Sequence, residues 1–210
     1  LTKHEQQLNY TGEFAYLDRE QLVSQIQAAL STERFNHVLR VEATARQLAQ
    51  QNGVDEQLAS LAGLCHDYAK ERSAEDFIQV IKAKHLDSDL LSAGNAIWHG
   101  VVGAEMVADE LHVYDQRVLD AIRQHTVGAQ VMSKLSQALY MADYIEPGRD
   151  FPGVEQARQL TTQSLAKGVA FQTWHTLNYL IQKGAPVYPA TLETYNAWFS
   201  QYRKEFLLDE

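Results

Sequence analysis

Asp55-Glu56-Gln57-Leu58-Ala59-Ser60-Leu61-Ala62-Gly63-Leu64-Cys65-His66-Asp67 is the stretch that decides the fold of this 210-residue chain. Asp55 stands where a helix N-cap belongs. Leu58, Leu61, Ala62, Leu64 and Cys65 then recur at helical spacing, and the run closes on an imidazole beside a carboxylate. An apolar helix that ends on His66-Asp67 delivers two metal-ligating groups to its own terminus. Neighbours on a helix point about 100° apart, so they converge on one ion only near the helix end.

The same period extends outward in both directions, and no period-two strand emerges. Upstream, Leu22, Val23, Ile26, Ala29 and Leu30 mark one helix, and Phe35, Val38, Val41, Ala45 and Leu48 another that Gly53 is placed to stop. Downstream, Ser73 and Asp76 form an acidic capping box before Phe77, Ile78, Val80 and Ile81. A looser stretch, 84–97, leads to a helix with Val101, Val102, Met106 and Val107. Asp115 caps the next, which carries Val118, Leu119 and Ile122, and Ser133 opens one with Leu135, Leu139 and Met141. Residues 146–153 hold two of the four prolines and read as loop. Two last helices follow, one with Leu165, Phe171, Trp174, Leu177 and Leu180, the other from about Pro189. The expected fold class is all-α, a single domain over residues 20–210, with residues 1–19 a polar lead-in.

Composition narrows the function. No apolar run approaches the roughly 20 residues that span a bilayer, and Leu1 to Tyr16 is polar and mixed in charge, unlike a secretory signal. The net charge of −9 disfavours a phosphate-binding surface for nucleic acid, though local cations can still hold a small anion. One cysteine, Cys65, excludes a disulfide framework and a thiolate zinc site, and a cytoplasmic location is expected. No heptad or apolar stripe calls for a second copy, so monomer and homodimer both stand.

The chemistry-bearing residues are His37, His66, Asp67, His99, His125 and Asp143, each in or at the end of a helix-like segment. Asp143 follows Leu139-Tyr140-Met141-Ala142, where a carboxylate suits the helix dipole badly unless a cation is near. His99 is read at the start of one helix and His125 at the end of another, able to complete a second site with Asp67 bridging. Such a set holds one or two divalent ions of iron, manganese, zinc, cobalt or nickel more readily than copper(I) or calcium. His4, His85, His112 and His175 read as structural histidines.

In their order, His37, His66-Asp67 and Asp143 resemble the HD superfamily of metal-dependent phosphohydrolases. Further marks resemble its bacterial YqeK branch: Ala62-Gly63-Leu64-Cys65-His66-Asp67-Tyr68-Ala69-Lys70, Trp98-His99-Gly100 before Gly103-Ala104, His125-Thr126-Val127-Gly128, Ala142-Asp143-Tyr144-Ile145-Glu146-Pro147-Gly148-Arg149, and Thr191 with Tyr195-Asn196. The resemblance runs from about Glu20 to near the end. It implies an HD-domain bundle of about eight to ten helices and a di-iron centre, divalent or mixed-valence. It also implies symmetrical hydrolysis of diadenosine tetraphosphate to two ADP. By matching position, His37, His66, Asp67, His99, His125 and Asp143 become metal ligands, and Arg34, Lys70 and Arg149 meet phosphates. Tyr188 and Thr191 lie near the nucleoside.

The residues are consistent with that implication. Arg34 is three residues before His37, on one helix face, and Lys70 is three after Asp67. Arg149 lies in a Pro/Gly-bounded loop, free to clamp a phosphate bidentately. Thr126 is either a phosphate donor or a turn residue. Tyr188, Tyr195, Trp198 and Phe199 serve either as an adenine stack or as core. A water activated between two ions is the expected nucleophile, with Asp67 bridging, His99 close to substrate, and Asp67 and Lys70 in the catalytic roles. Two other readings share the fold: an HD enzyme for mononucleotides, deoxynucleotides or cyclic nucleotides, and a non-catalytic nucleotide-binding regulator.

Overall fold

Most helices begin on a short polar side chain that satisfies their first free N–H groups. In the computed structural model, which describes residues 8–206, Asp18 caps α1 (Arg19–Ala29) and Ser31 caps α2 (Thr32–Asn52). Asp55 caps α3 (Glu56–Cys65), and Ser73 with Asp76 forms a reciprocal capping box for α4 (Ala74–Ala83). A 3₁₀ turn, Ser88–Ser92, precedes α5 (Asn95–Val101) and α6 (Gly103–Glu110). Asp115 caps α7 (Gln116–Gln124) and Ser133 caps α8 (Lys134–Ile145). The last described helices are α9 (Val154–Gln163), α10 (Leu165–Gln182) and α11 (Pro189–Phe206). Gly53 stops α2 in the left-handed conformation, φ 68°.

All-α is therefore the fold class, with eleven α-helices among the described residues rather than eight to ten. Two reasons account for the difference. The apolar run near Val101 breaks at Val102 into two short helices. In α9 the buried positions are Val154, Ala157 and Thr161, too small and polar to show a stripe, and its N-terminus is Gly153 with no side-chain cap. No helix of the described residues is long and apolar enough to cross a membrane.

Helices α3 and α8 are buried on nearly every side: Leu58 through Cys65 in the first, Leu135, Ala138 through Ala142 in the second. A helix apolar all round belongs at the centre, and α2 and α7 flank this pair. Gly63 makes the α2–α3 approach possible, because a Cβ there would lie 2.7 Å from the Cα of Glu42. That contact brings the end of α3 beside His37. On the outer side, α10 packs on α8, α9 and α11. Thr194 and Trp198 of α11 donate to the carbonyls of Val127 and Ala129, at 2.9 and 2.8 Å, tying α11 to the turn after His125.

Residues 1–7, with His4, lie outside the described residues. The described part of the expected lead-in contributes Tyr10, Phe14 and Ala15 to the core. The Tyr10 hydroxyl pairs with Ser60 at 2.6 Å.

Candidate metal centre

Six side chains from five segments converge at one end of α3. His37 comes from α2, and His66 is the C-cap of α3 with Asp67 in the turn beyond. His125 is the C-cap of α7, and Asp143 lies in the last turn of α8. His99 sits in the last turn of α5, not at a helix start as expected, because α5 begins earlier, at Asn95, and is short. Asp67 is the hub. Its Oδ2 faces His37 Nε2 at 3.7 Å and His66 Nε2 at 3.6 Å; its Oδ1 faces His99 Nε2 at 3.5 Å and His125 Nε2 at 3.9 Å. Asp143 Oδ1 is 3.1 Å from His37 Nε2. Two subsets have mutual ligand distances within 4.8 Å: His37, His66 and Asp143, and His66, Asp67 and His125.

Each imidazole has its other nitrogen committed. His66 Nδ1 donates to the Gly63 carbonyl at 2.7 Å, His125 Nδ1 to Ile122 at 2.7 Å, and His99 Nδ1 to Asn95 at 2.5 Å. His37 Nδ1 donates to Glu146 Oε1 at 3.0 Å. A carbonyl can only accept, so the proton is on Nδ1 and the Nε2 lone pair points inward. Among the described residues, His66 Nε2 and His125 Nε2 are buried without a hydrogen-bond partner. Lone pairs so exposed to one another are costly unless a cation takes them, and Nδ1 anchoring is how metal-bound histidines are held. The donor set fits a divalent transition metal ion.

Electrostatics agree. Burial lowers the His66 pKa and brings His99 to about 3 and His125 to about 4, keeping all three neutral. For Asp67 burial opposes ionisation, yet its carboxyl is held below the usual range; neutral imidazoles carry no charge to do this, and the cation at hand is Arg34, whose Nη1 lies 2.9 Å from Oδ2. Asp143 is likewise held well below the usual carboxylate range against burial, with the Arg149 guanidinium on its Oδ1.

Cations ring the cluster. Arg34 Nη1 meets Asp67 Oδ2 at 2.9 Å, and Arg149 Nη2 meets Asp143 Oδ1 at 2.5 Å. Lys70 Nζ lies 3.2 Å from His99 Nε2, and burial lowers its pKa. Arg34, His37, Arg40, Glu146, Gly148 and Arg149 line a polar cavity of about 280 Å³ beside the cluster. Two of these, Arg40 and Glu146, were not anticipated. Glu146 is 1% exposed and receives Arg40 Nε at 2.6 Å and the Gly148 N–H at 2.5 Å as well as His37. These donors bring its pKa to about 2 although burial opposes them.

Other anticipated residues are more peripheral. The Thr126 hydroxyl is buried without a partner among the described residues and lies 2.8 Å from where a Cβ on Gly100 would be. Tyr188 is half-buried against the small cluster of Phe77, Trp98 and Met106, and its carbonyl accepts from the Thr191 N–H at 2.9 Å. Trp198 and Phe199 are core, and Tyr195 stacks on Phe199 with centroids 5.0 Å apart. His85 and His112 both have φ 52°, and His175 Nδ1 pairs with the Tyr144 hydroxyl at 2.6 Å.

Residues 34–148 match the HD domain family, so the helical bundle and its His/Asp cluster define an HD-domain protein. A Bacillus subtilis (strain 168) protein named bis(5'-nucleosyl)-tetraphosphatase, symmetrical, is 38% identical over 180 residues, covering 86% of this chain and 97% of the relative. One of the same name from Halalkalibacterium halodurans is 38% identical over 180 residues, covering 86% and 96%. The chain belongs to this family, the YqeK branch of HD-domain proteins. A crystal structure from Clostridium acetobutylicum, described as a predicted HD superfamily hydrolase involved in NAD metabolism, superposes with a TM-score of 0.84 at 31% identity. It covers 88% of this chain and 98% of its own.

Proposed function

We propose that this protein hydrolyses diadenosine tetraphosphate symmetrically to two ADP, in the cytoplasm. We further propose that His37, His66, Asp67, His99, His125 and Asp143 hold two metal ions, iron in the native protein. The observation that carries this is the common arrangement of the four histidines: each Nδ1 is occupied and each Nε2 turns toward Asp67. Relatives named for symmetrical tetraphosphatase activity, matched over nearly their whole length, supply the substrate.

When bound, such ions lower the pKa of water and polarise a phosphoryl group. The chain's residues do the rest. Asp67 offers one oxygen to the His37–His66 side and the other to the His99–His125 side, so a single carboxylate sets the separation of the two halves. Water adds at one central phosphorus, its bond to the central bridging oxygen breaks, and the water's two protons pass to solvent, leaving two ADP. The ADP that departs with the bridging oxygen is a stable phosphate anion and needs charge neutralisation more than a proton. Arg34 and Arg149 supply it from the polar cavity, and Lys70 from the other side, beside His99. We assign Thr126, Tyr188 and Thr191 to substrate contacts farther out, and residues 20–210 to one catalytic domain. Nothing in this scheme requires a second copy.

Protein purified without added metal, analysed by element and then given diadenosine tetraphosphate, tests the proposal. Bound iron with ADP as sole product is expected. AMP with ATP would contradict the central cut, and no turnover with any dinucleoside polyphosphate would favour a mononucleotide substrate.

A further inference from the structure

A second cavity takes part of its lining, Phe151 and Pro152, from the loop that carries Arg149. It measures about 720 Å³ and is lined by Tyr144, Phe151, Trp174, His175, Asn178 and Tyr179, among others. Its volume is within the range of small-molecule sites, roughly 300–1,000 Å³. The backbone joins it to the polar cavity: Phe151 is two residues beyond Arg149, at most roughly 7 Å of chain. Tyr144, also in its lining, directly follows Asp143 of the cluster. One loop thus has Glu146, Gly148 and Arg149 in the polar cavity and Phe151 in the aromatic one.

The aromatic walls are braced. Phe171 and Phe151 stack on the His175 ring, with centroids 5.7 and 6.0 Å away, and His175 Nδ1 pairs with the Tyr144 hydroxyl at 2.6 Å. Trp174 stacks on the buried Phe199 at 6.0 Å. Tyr179 is different. It is 56% exposed, too open to be there for the core. Asn178 and Gln182, one turn apart on α10, add amide donors and acceptors to the rim. Rings for a flat face, amides for its edge and a guanidinium one loop away match a purine nucleoside on a phosphate chain. They match an acyl chain or a peptide less well.

We infer that this cleft is a nucleobase subsite, taking the adenine of one half of the substrate while its phosphates lie in the cavity of Arg34 and Arg149. A substrate cut at its centre has two nucleosides, and the Tyr188–Thr191 turn is left to the other. The inference rests on the proposed reaction for the identity of its ligand, but binding of ADP reads it independently.

The test is calorimetric titration of the metal-loaded protein with ADP and, separately, with inorganic tripolyphosphate, which has no base. Wild type, Tyr179→Ala and Asn178→Ala are compared, the latter two being changes at exposed or half-exposed positions. ADP affinity should fall about tenfold in Tyr179→Ala, the scale of one lost base–ring stack, and fall also in Asn178→Ala. Tripolyphosphate should bind all three within about twofold. Unchanged ADP affinity in both variants overturns the subsite, and so does an equal loss for both ligands. A shift from dimer to monomer in Tyr179→Ala with ADP affinity intact would instead make the cleft a contact between copies. If the variants weaken ADP as stated but wild type leaves diadenosine tetraphosphate uncut, the subsite stands and the proposed reaction falls.

Discussion

His37 and Glu146, 109 positions apart in the chain, meet at 3.0 Å through Nδ1 and Oε1, and this contact decides which nitrogen His37 turns toward Asp67 and Asp143. The other three histidines use backbone carbonyls for that purpose, which no substitution can remove. His37 alone depends on a side chain. Glu146→Gln should therefore weaken metal affinity by roughly 10–100-fold, the usual effect of losing a partner behind a ligand. An amide cannot accept from His37, Arg40 and the Gly148 N–H as a carboxylate does. Metal content after dialysis against a graded chelator measures it, and wild-type retention would sink this role for Glu146.

Gly63 sets the distance between α2 and α3. The Cβ of Gly63→Ala would come within 2.7 Å of backbone, which has no rotamer to escape by. A cost of about 1–3 kcal/mol is expected for such overpacking, seen as a melting temperature lower by roughly 2–12 °C for a chain of this size. The same displacement moves His37 away from His66 and should lower metal retention. A melting curve that superimposes on wild type would show the helices have room.

The site was legible where it is local, and illegible where it depends on distant contacts. His66-Asp67 at the end of an apolar helix, and Asp143 after another, announce themselves by residue type and helical period. Glu146 did not, because a glutamate before Pro147-Gly148 reads as solvated loop, and only the folded chain buries it under Arg40. Arg40 was within reach: it follows His37 by three, as Arg34 precedes it by three, and the same spacing argument applies to both. In α9 the buried face is Val154, Ala157 and Thr161, and no apolar stripe of that size rises above the background of a loop.

Removing the metal should leave an acid-sensitive protein. Burial holds His99 at about 3 and His125 at about 4, below the 6.5 of a free imidazole. The unfolded chain then binds more protons than the folded one between those values, so stability is complete above pH 6.5 and is lost as pH falls toward 3. The slope approaches about 1.4 kcal/mol per pH unit for each group in that window. Metal-loaded protein gains in addition whatever binding to the folded state alone contributes. Thermal melts of chelated protein between pH 8 and 5 should show a falling midpoint, and a flat profile would mean these imidazoles are not buried neutral.

Cys65 adjoins His66 yet faces the core, fully buried, and burial followed by the nearby Glu42 carboxylate pushes its thiol well up. Native protein at pH 8 should therefore resist alkylation for hours and take up one equivalent only when denatured. Mass spectrometry reads the difference. Rapid labelling of the native state would place the cysteine at the metal cluster instead.

A graded pair of substitutions separates the observed role of Arg149 from its proposed one. Its guanidinium grips Asp143 by both the carboxylate and the carbonyl, at 2.5 and 2.8 Å, and it also lines the polar cavity proposed for phosphate. If orientation of Asp143 dominates, Arg149→Ala should empty the site and Arg149→Lys should restore little, since an ammonium cannot make the fork. If neutralisation of phosphate dominates, both variants should stay loaded. Then kcat/KM for diadenosine tetraphosphate should fall by roughly 10²–10³ in Arg149→Ala and recover in part in Arg149→Lys. The second pattern is expected, because an ion shared by Asp143 and the His37 Nε2, 3.1 Å from it, would hold the carboxylate without Arg149. Metal content measured beside turnover tells the two apart in one preparation.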